Sequence, residues 1–132
     1  MYLRLAEKSD DYQKCGRVLR PKKDHPYDFP TILAERSSHG ILEGFLSTDL
    51  TQKKIICGPL WIDPGLPLIR KGRLTIRLLD AYEMILKKAG VTSYLFCAMP
   101  NEPWTDTIER AIGLKPFDFN DGAYWYKREL RS

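Results

Sequence analysis

Four cationic side chains, Arg70, Lys71, Arg73 and Arg77, crowd into residues 69–77, and Leu74, Leu78, Tyr82, Ile85 and Ala89 then recur at helical spacing. The cations therefore stand at the start of a helix. A helix N-terminus already carries partial positive charge and unpaired N–H groups, so the dipole opposes each such cation, by a few tenths up to about 1 kcal/mol. A bound anion reverses that sign, and phosphate is the anion a helix start holds most readily. Phosphate binding is thus the chemistry these residues suggest, with a solvated basic face as the plain alternative. Nucleic acid also offers phosphates, but no aromatic side chains are interleaved with the cations, as a single-strand platform requires.

Acid–base candidates are fewer. Glu35 and Glu43 alternate with apolar neighbours in two strand-like runs, which predicts that each points to solvent. Either of them, or Asp63, is a candidate general base for deprotonating an amine directly or through water. Tyr124 and Tyr126 read first as packing residues and second as the lining of an acceptor site. Tyr94 and Cys97 lie three apart on a strand, hence on opposite faces, and Cys97 has no histidine nearby to activate it. Cys15, Cys57 and Cys97 are odd in number and widely spaced, which suggests neither a disulfide framework nor a zinc site. His25 and His39 have no clustered partners, so no metal is expected.

The elements that must position these groups follow from pattern. With 132 residues, 43% hydrophobic and 29% charged, the chain reads as one domain, 1–132, with one core. A net charge of +4 permits an anionic ligand without demanding nucleic acid. No apolar run approaches the ~20 residues that span a bilayer, and Arg4, Glu7 and Lys8 are unlike a secretory signal. The expected compartment is therefore the cytoplasm.

Residues 2–6 alternate as a strand, and Ser9 and Asp10 cap a helix whose face is Tyr12, Cys15, Val18 and Leu19. Three prolines make 20–30 a loop. Residues 31–36 and 41–48 form a hairpin around the polar turn 37–40, and 54–62 is the fourth strand. Gly58-Pro59 interrupts that strand, which predicts a bulge or splay where pairing to one neighbour fails, leaving backbone groups of Leu60, Trp61 and Ile62 free. A turn at 63–67 leads through the basic segment into a helix at 74–89, stopped by Gly90. Strand 91–98, a short helix from 104 or 105 to Gly113, and strands 117–119 and 123–130 complete the order β α β β β α β α β β. The step through the long helix requires a right-handed crossover to a parallel neighbour.

That order, with a splayed fourth strand and a cationic turn after it, resembles the GCN5-related N-acetyltransferase (GNAT) superfamily. The likeness covers nearly the whole chain and is strongest over 54–113. It implies an α/β fold: a mixed, mostly antiparallel sheet with a splayed central strand and helices on both faces. In the family a turn of the form Arg/Gln-x-x-Gly-x-Gly/Ala precedes the long central helix, and its backbone amides wrap the pyrophosphate of acetyl-coenzyme A. Matching Leu78-Leu79-Asp80-Ala81 to the family's Leu-Leu-x-Ala places that turn on Arg70, Lys71, Gly72, Arg73, Leu74 and Thr75. Arg70 fits, whereas Arg73 and Thr75 stand where small residues are usual and Gly72 is one place early. Asn101 and the stretch to Gly113-Leu114 echo the family's post-strand asparagine and short helix, with Glu109 where many members carry a tyrosine general acid.

What the resemblance implies is transfer of an acetyl group from acetyl-coenzyme A to a primary amine on a small molecule or protein. Acetyl-coenzyme A would be the cosubstrate, held by Leu60, Trp61, Ile62, Arg70, Lys71, Gly72, Arg73, Leu74, Thr75 and Asn101. Glu35, Glu43, Asp63 or Tyr124 would assist catalysis. The departures at Arg73, Thr75 and Glu109 favour an alternative: a catalytically inert binding or structural protein of the same fold, such as a phage virion component. Compact, divergent phage-encoded forms of the fold resemble this chain in length. Localisation would then be the cytoplasm of a bacterium or infected host, or the virion.

Overall fold

In the computed structural model, which describes residues 2–18, 30–37, 40–49, 54–98, 100, 110 and 113–130, the chain runs β1 (Tyr2–Leu5), α1 (Ser9–Val18), β2 (Thr31–Glu35), β3 (Leu42–Asp49), β4 (Ile56–Ile62), α2 (Leu68–Lys88), β5 (Ser93–Ala98), β6 (Asp118–Asn120) and β7 (Ala123–Glu129). This is the order read from the sequence, save that the short helix expected up to Gly113 falls almost wholly outside the described residues. The strands form one sheet in the order β1-β2-β3-β4-β5-β7-β6. Every pairing is antiparallel except β4 with β5, the two strands joined by the α2 crossover.

Strand alternation divides the apolar residues between two faces. On one face Ile32, Ala34 and Leu46 pack against the α2 stripe Leu74, Leu78, Tyr82 and Leu86, which recurs every four residues. On the other, Leu33, Leu42 and Phe45 pack around Cys15 of α1. The sheet thus carries a helix on each side, as expected for the mixed α/β class. Burial of each large aliphatic side chain contributes roughly 1.5–3 kcal/mol. Asp121 and Gly122, both at positive φ, make the tight turn between β6 and β7.

Because β2 is covered on both faces, it has no solvent side, and Glu35 does not point to water as its alternation predicts; it is fully buried. Its carboxylate accepts from Arg4 Nε on β1 at 2.6 Å and from Lys14 Nζ on α1 at 2.6 Å. Arg4 reaches on to Asp11 in the first turn of α1, at 2.7 and 2.9 Å. This network pins α1 across β1 and β2.

A second difference matters more for function. The long helix begins at Leu68, not at residue 74, so the basic segment is not a turn before the helix but lies within its first three turns. Leu68 and Ile69 are 84% and 71% exposed, so the apolar stripe starts only at Leu74, which is why spacing alone places the start too late. The C-terminal end matches: Gly90, at φ +80, follows the last turn, which carries Lys87 and Lys88.

Candidate functional site

The splay is real and its geometry can be followed bond by bond. Strands β4 and β5 meet at one parallel rung among the described residues, Ile56 opposite Leu95, where Leu95 N–H donates to Ile55 O at 2.9 Å. Beyond it β5 is paired only on its other side, to β7. Between β3 and β4 the register shifts: Leu46 faces Leu60, but Thr48 faces Cys57, so Gly58 and Pro59 together stand opposite Ser47. This is a bulge at the predicted pair, with Gly58 at φ +136 and the Gly58–Pro59 peptide cis.

The bulge decides which backbone groups line the opening. Asp63 N–H donates to Glu43 O at 2.8 Å, and antiparallel bonding alternates. Trp61, opposite Phe45, therefore turns its N–H and C=O to β3, while those of Leu60 and Ile62 turn toward the gap with β5. Of the three residues expected to offer free backbone, two do so. Trp61 contributes its side chain instead, stacked on Phe45 at 6.2 Å on the α1 face. Gly44 lets β3 lie close to both β4 and α2: a Cβ there would sit 2.9 Å from Trp61 O and 3.2 Å from Leu74 Cδ2.

Helix α2 starts at Leu68, a short turn after β4 ends at Ile62. Its cap position is Pro67, no side chain caps it, and no acidic residue stands in its first turn. The N–H groups of Leu68, Ile69 and Arg70 therefore have no partner within the helix. Lys71 N–H already bonds to Pro67 O, at 3.0 Å, and the Thr75 hydroxyl bonds back to Lys71 O at 2.8 Å. The amides of 71–75 are used inside the helix, so they do not form the wrapping turn that the resemblance assigns to Lys71, Gly72, Arg73, Leu74 and Thr75. Leu74 is a core residue and Gly72 is exposed.

What remains at this place is a side-chain site. A cavity of about 470 Å³ is lined by Leu66, Arg70, Arg73, Leu74, Ile76 and Arg77. Residues 70, 73, 74 and 77 share one helix face. Among the described residues Arg73 and Arg77 make no ion pair, whereas Arg70 Nη2 lies 2.9 and 3.0 Å from the two carboxylate oxygens of Glu43. Three guanidiniums beside aliphatic walls suit a ligand that is part phosphate and part alkyl.

Glu43 is also fully buried rather than solvent-facing, because the β2–β3 register shift leaves it beside Leu42 without a partner on β2 and Arg70 and Arg36 close over it. Asp63 lies at the end of β4 and its Oδ1 accepts from Gly65 N–H at 3.0 Å. Tyr124 faces Ala98 on the far arm, half-buried, with its ring 5.0 Å from Phe119; Tyr126 is fully buried against Phe96 and is a packing residue. The four acid–base candidates are therefore not gathered in one place. Asn101 and Glu109 lie outside the described residues.

Sequence reasoning missed one further group. Tyr94 O–H donates to Glu83 Oε2 at 2.6 Å, and Arg128 Nε donates to the same oxygen at 3.1 Å, tying α2 to β5 and β7. Burial, and then the hydrogen bond to Glu83, hold the Tyr94 hydroxyl protonated well above the ordinary phenol range.

No protein-family model and no curated protein sequence matches this chain. Solved structures do. The PaiA N-acetyltransferase of Thermoplasma acidophilum, in complex with coenzyme A, is similar with a TM-score of 0.71 at 15% identity, over 98% of this chain and 99% of that one. The ribosomal-protein-S18-alanine N-acetyltransferase of Escherichia coli gives 0.70 at 12% identity, over 99% and 96%. A GNAT-family acetyltransferase of Staphylococcus aureus Mu50 gives 0.69 at 14%, over 98% and 100%. The chain has the GNAT fold. No helix among the described residues is long and apolar enough to cross a membrane.

Proposed function

We propose that this protein transfers an acetyl group from acetyl-coenzyme A to a primary amine. The observation that carries the reading is the opening between β4 and β5, into which Leu60 and Ile62 turn their backbone groups, together with an arginine-lined cavity along the first turns of α2, the helix that follows β4. The donor supplies an activated thioester. In this reading Leu60 and Ile62 pair with its amide-bearing arm and orient the carbonyl, and Arg70, Arg73 and Arg77 hold its pyrophosphate with side chains. Tyr124, on β7, is proposed to line the acceptor site, and Asp63, at the end of β4, is the proposed proton acceptor, acting directly or through water. Glu35 is excluded from that role by its engagement with Arg4 and Lys14. The acceptor is a small-molecule or protein amine. The compartment that suits this chemistry is the cytoplasm of a bacterium or of an infected host.

A second reading, an inert protein of the same fold such as a phage virion component, is favoured by the helical amides over 71–75, which remove the usual backbone cradle. Thermal denaturation with acetyl-coenzyme A separates binding from non-binding, since ligand at 100 times Kd stabilises by about 2.7 kcal/mol. Arg73→Glu with Arg77→Glu abolishes that stabilisation and leaves the unliganded Tm nearly unchanged. A thiol-release assay over a panel of amines then separates catalysis from binding. Binding without release for any amine supports the inert reading, and no binding at millimolar donor refutes the proposed cradle.

A further inference from the structure

We propose that Glu43 is a positioning residue for the anion cavity, fixing the Arg70 guanidinium against its wall; this rests on the reading of that cavity as the pyrophosphate site. A carboxylate with no exposed surface is costly to leave unpaired, and here it is paired from two sides. Arg70 Nη2 bridges both of its oxygens at 2.9 and 3.0 Å, and Arg36 Nε stands 3.8 Å from Oε2. The two arginine side chains are 48% and 59% exposed, so each covers Glu43 with one edge and keeps other donors outward.

Of the cavity's three arginines, Arg70 is thereby the one whose position is set from beneath, while Arg73 and Arg77 make no ion pair among the described residues. The position is also built into the sheet. Glu43 is the residue added to β3 where its register to β2 shifts between Ala34 and Glu35, and its carbonyl takes the Asp63 N–H that ends β4. The carboxylate that steers Arg70 is therefore fixed to the strand whose neighbour lines the opening. A guanidinium held in place loses less rotamer freedom when it meets a ligand than one free in water.

A mere counter-charge makes the opposite prediction, because removing a carboxylate near an anion site strengthens anion binding. The sign of the effect decides between them. Binding of coenzyme A and of inorganic pyrophosphate is measured by titration calorimetry for wild type, Glu43→Gln, Glu43→Asp, Arg70→Ala and the Glu43→Gln/Arg70→Ala double variant. Positioning predicts about tenfold weaker binding for Glu43→Gln, as for other partners that orient a ligating group. It predicts a loss for Glu43→Asp too, which keeps the charge but withdraws it by one methylene. In the Arg70→Ala background Glu43→Gln should change affinity no further. In turnover, Glu43→Gln should raise KM for the acyl donor and leave kcat. Tighter binding in Glu43→Gln, unchanged binding in Glu43→Asp, or an equal loss with Arg70 absent each overturns the proposal. If wild type binds neither probe, the cavity reading itself falls; if it binds and the variants behave in one of those three ways, only the role of Glu43 does.

Discussion

Gly72→Ala tests the helical start of α2 directly. Gly72 lies in the second turn of the helix, exposed, and a Cβ built on it meets nothing within 4 Å. Since the added methyl touches nothing and displaces nothing, the effect reduces to backbone entropy, and alanine should stabilise by about 0.5–1 kcal/mol. For a domain of this size that is a rise in Tm of roughly 2–4 °C. Ligand affinity should not change, for a geometric reason. Helical residues advance by about 100° each, so 72 points well away from the face shared by 70, 73, 74 and 77, and it is not among the cavity-lining residues. Urea unfolding followed by tryptophan fluorescence gives the stability, and titration with acetyl-coenzyme A gives the affinity. A destabilised variant, or a folded one that has lost the ligand, would show that the backbone at 71–75 approaches the phosphates as a glycine turn, and the side-chain cradle would be wrong.

Gly44→Ala should do the reverse. Its Cβ would meet backbone oxygen at 2.9 Å, which cannot swing aside, so we expect a loss of about 1–3 kcal/mol by urea unfolding and a higher KM for the donor as β4 shifts. Stability should also fall in acid. The hydrogen bonds from Arg4 hold Asp11 well below the usual carboxylate range, and at Glu35 burial pushes up but Arg4 and Lys14 outweigh it, leaving that group lowered as well. Groups depressed in the folded state stabilise fully above their unfolded values, near 4, and lose that contribution as pH falls through the folded ones. Urea midpoints measured from pH 6 down to pH 2 should therefore decline below about pH 4, and less steeply in Asp11→Asn. Thiol titration provides a third check: burial lifts Cys15 to about 12 and raises Cys57 as well, so exposed Cys97 alone should react in the native protein, and all three in urea.

Much of this architecture is local and so was readable. The hairpins, the Gly58-Pro59 break and the Gly90 stop each depend on a few adjacent residues, and all three stand where spacing puts them. What was hidden depends on distance. Nothing beside Glu35 or Glu43 says that either is buried, since the partners that make burial tolerable, Arg4, Lys14 and Arg70, are 31, 21 and 27 residues away. The start of α2 was hidden for another reason. Its first turn has neither an apolar stripe nor a capping side chain, and Gly72 in the second turn reads as a turn residue. Only the packing of Leu66 and Leu74 into the core fixes where the helix must begin.

The parted strands make this molecule two half-sheets, one of β1 to β4 and one of β5 to β7, fastened by the Ile56–Leu95 rung and braced by α2 through Tyr82, Glu83, Tyr94 and Arg128. A sheet fastened that way is soft to shear along the seam and stiff elsewhere. Any molecule that bonds to both arms acts as a strut, and its arrival should be felt as slower amide exchange at Leu60 and Ile62 and along the inner edge of β5.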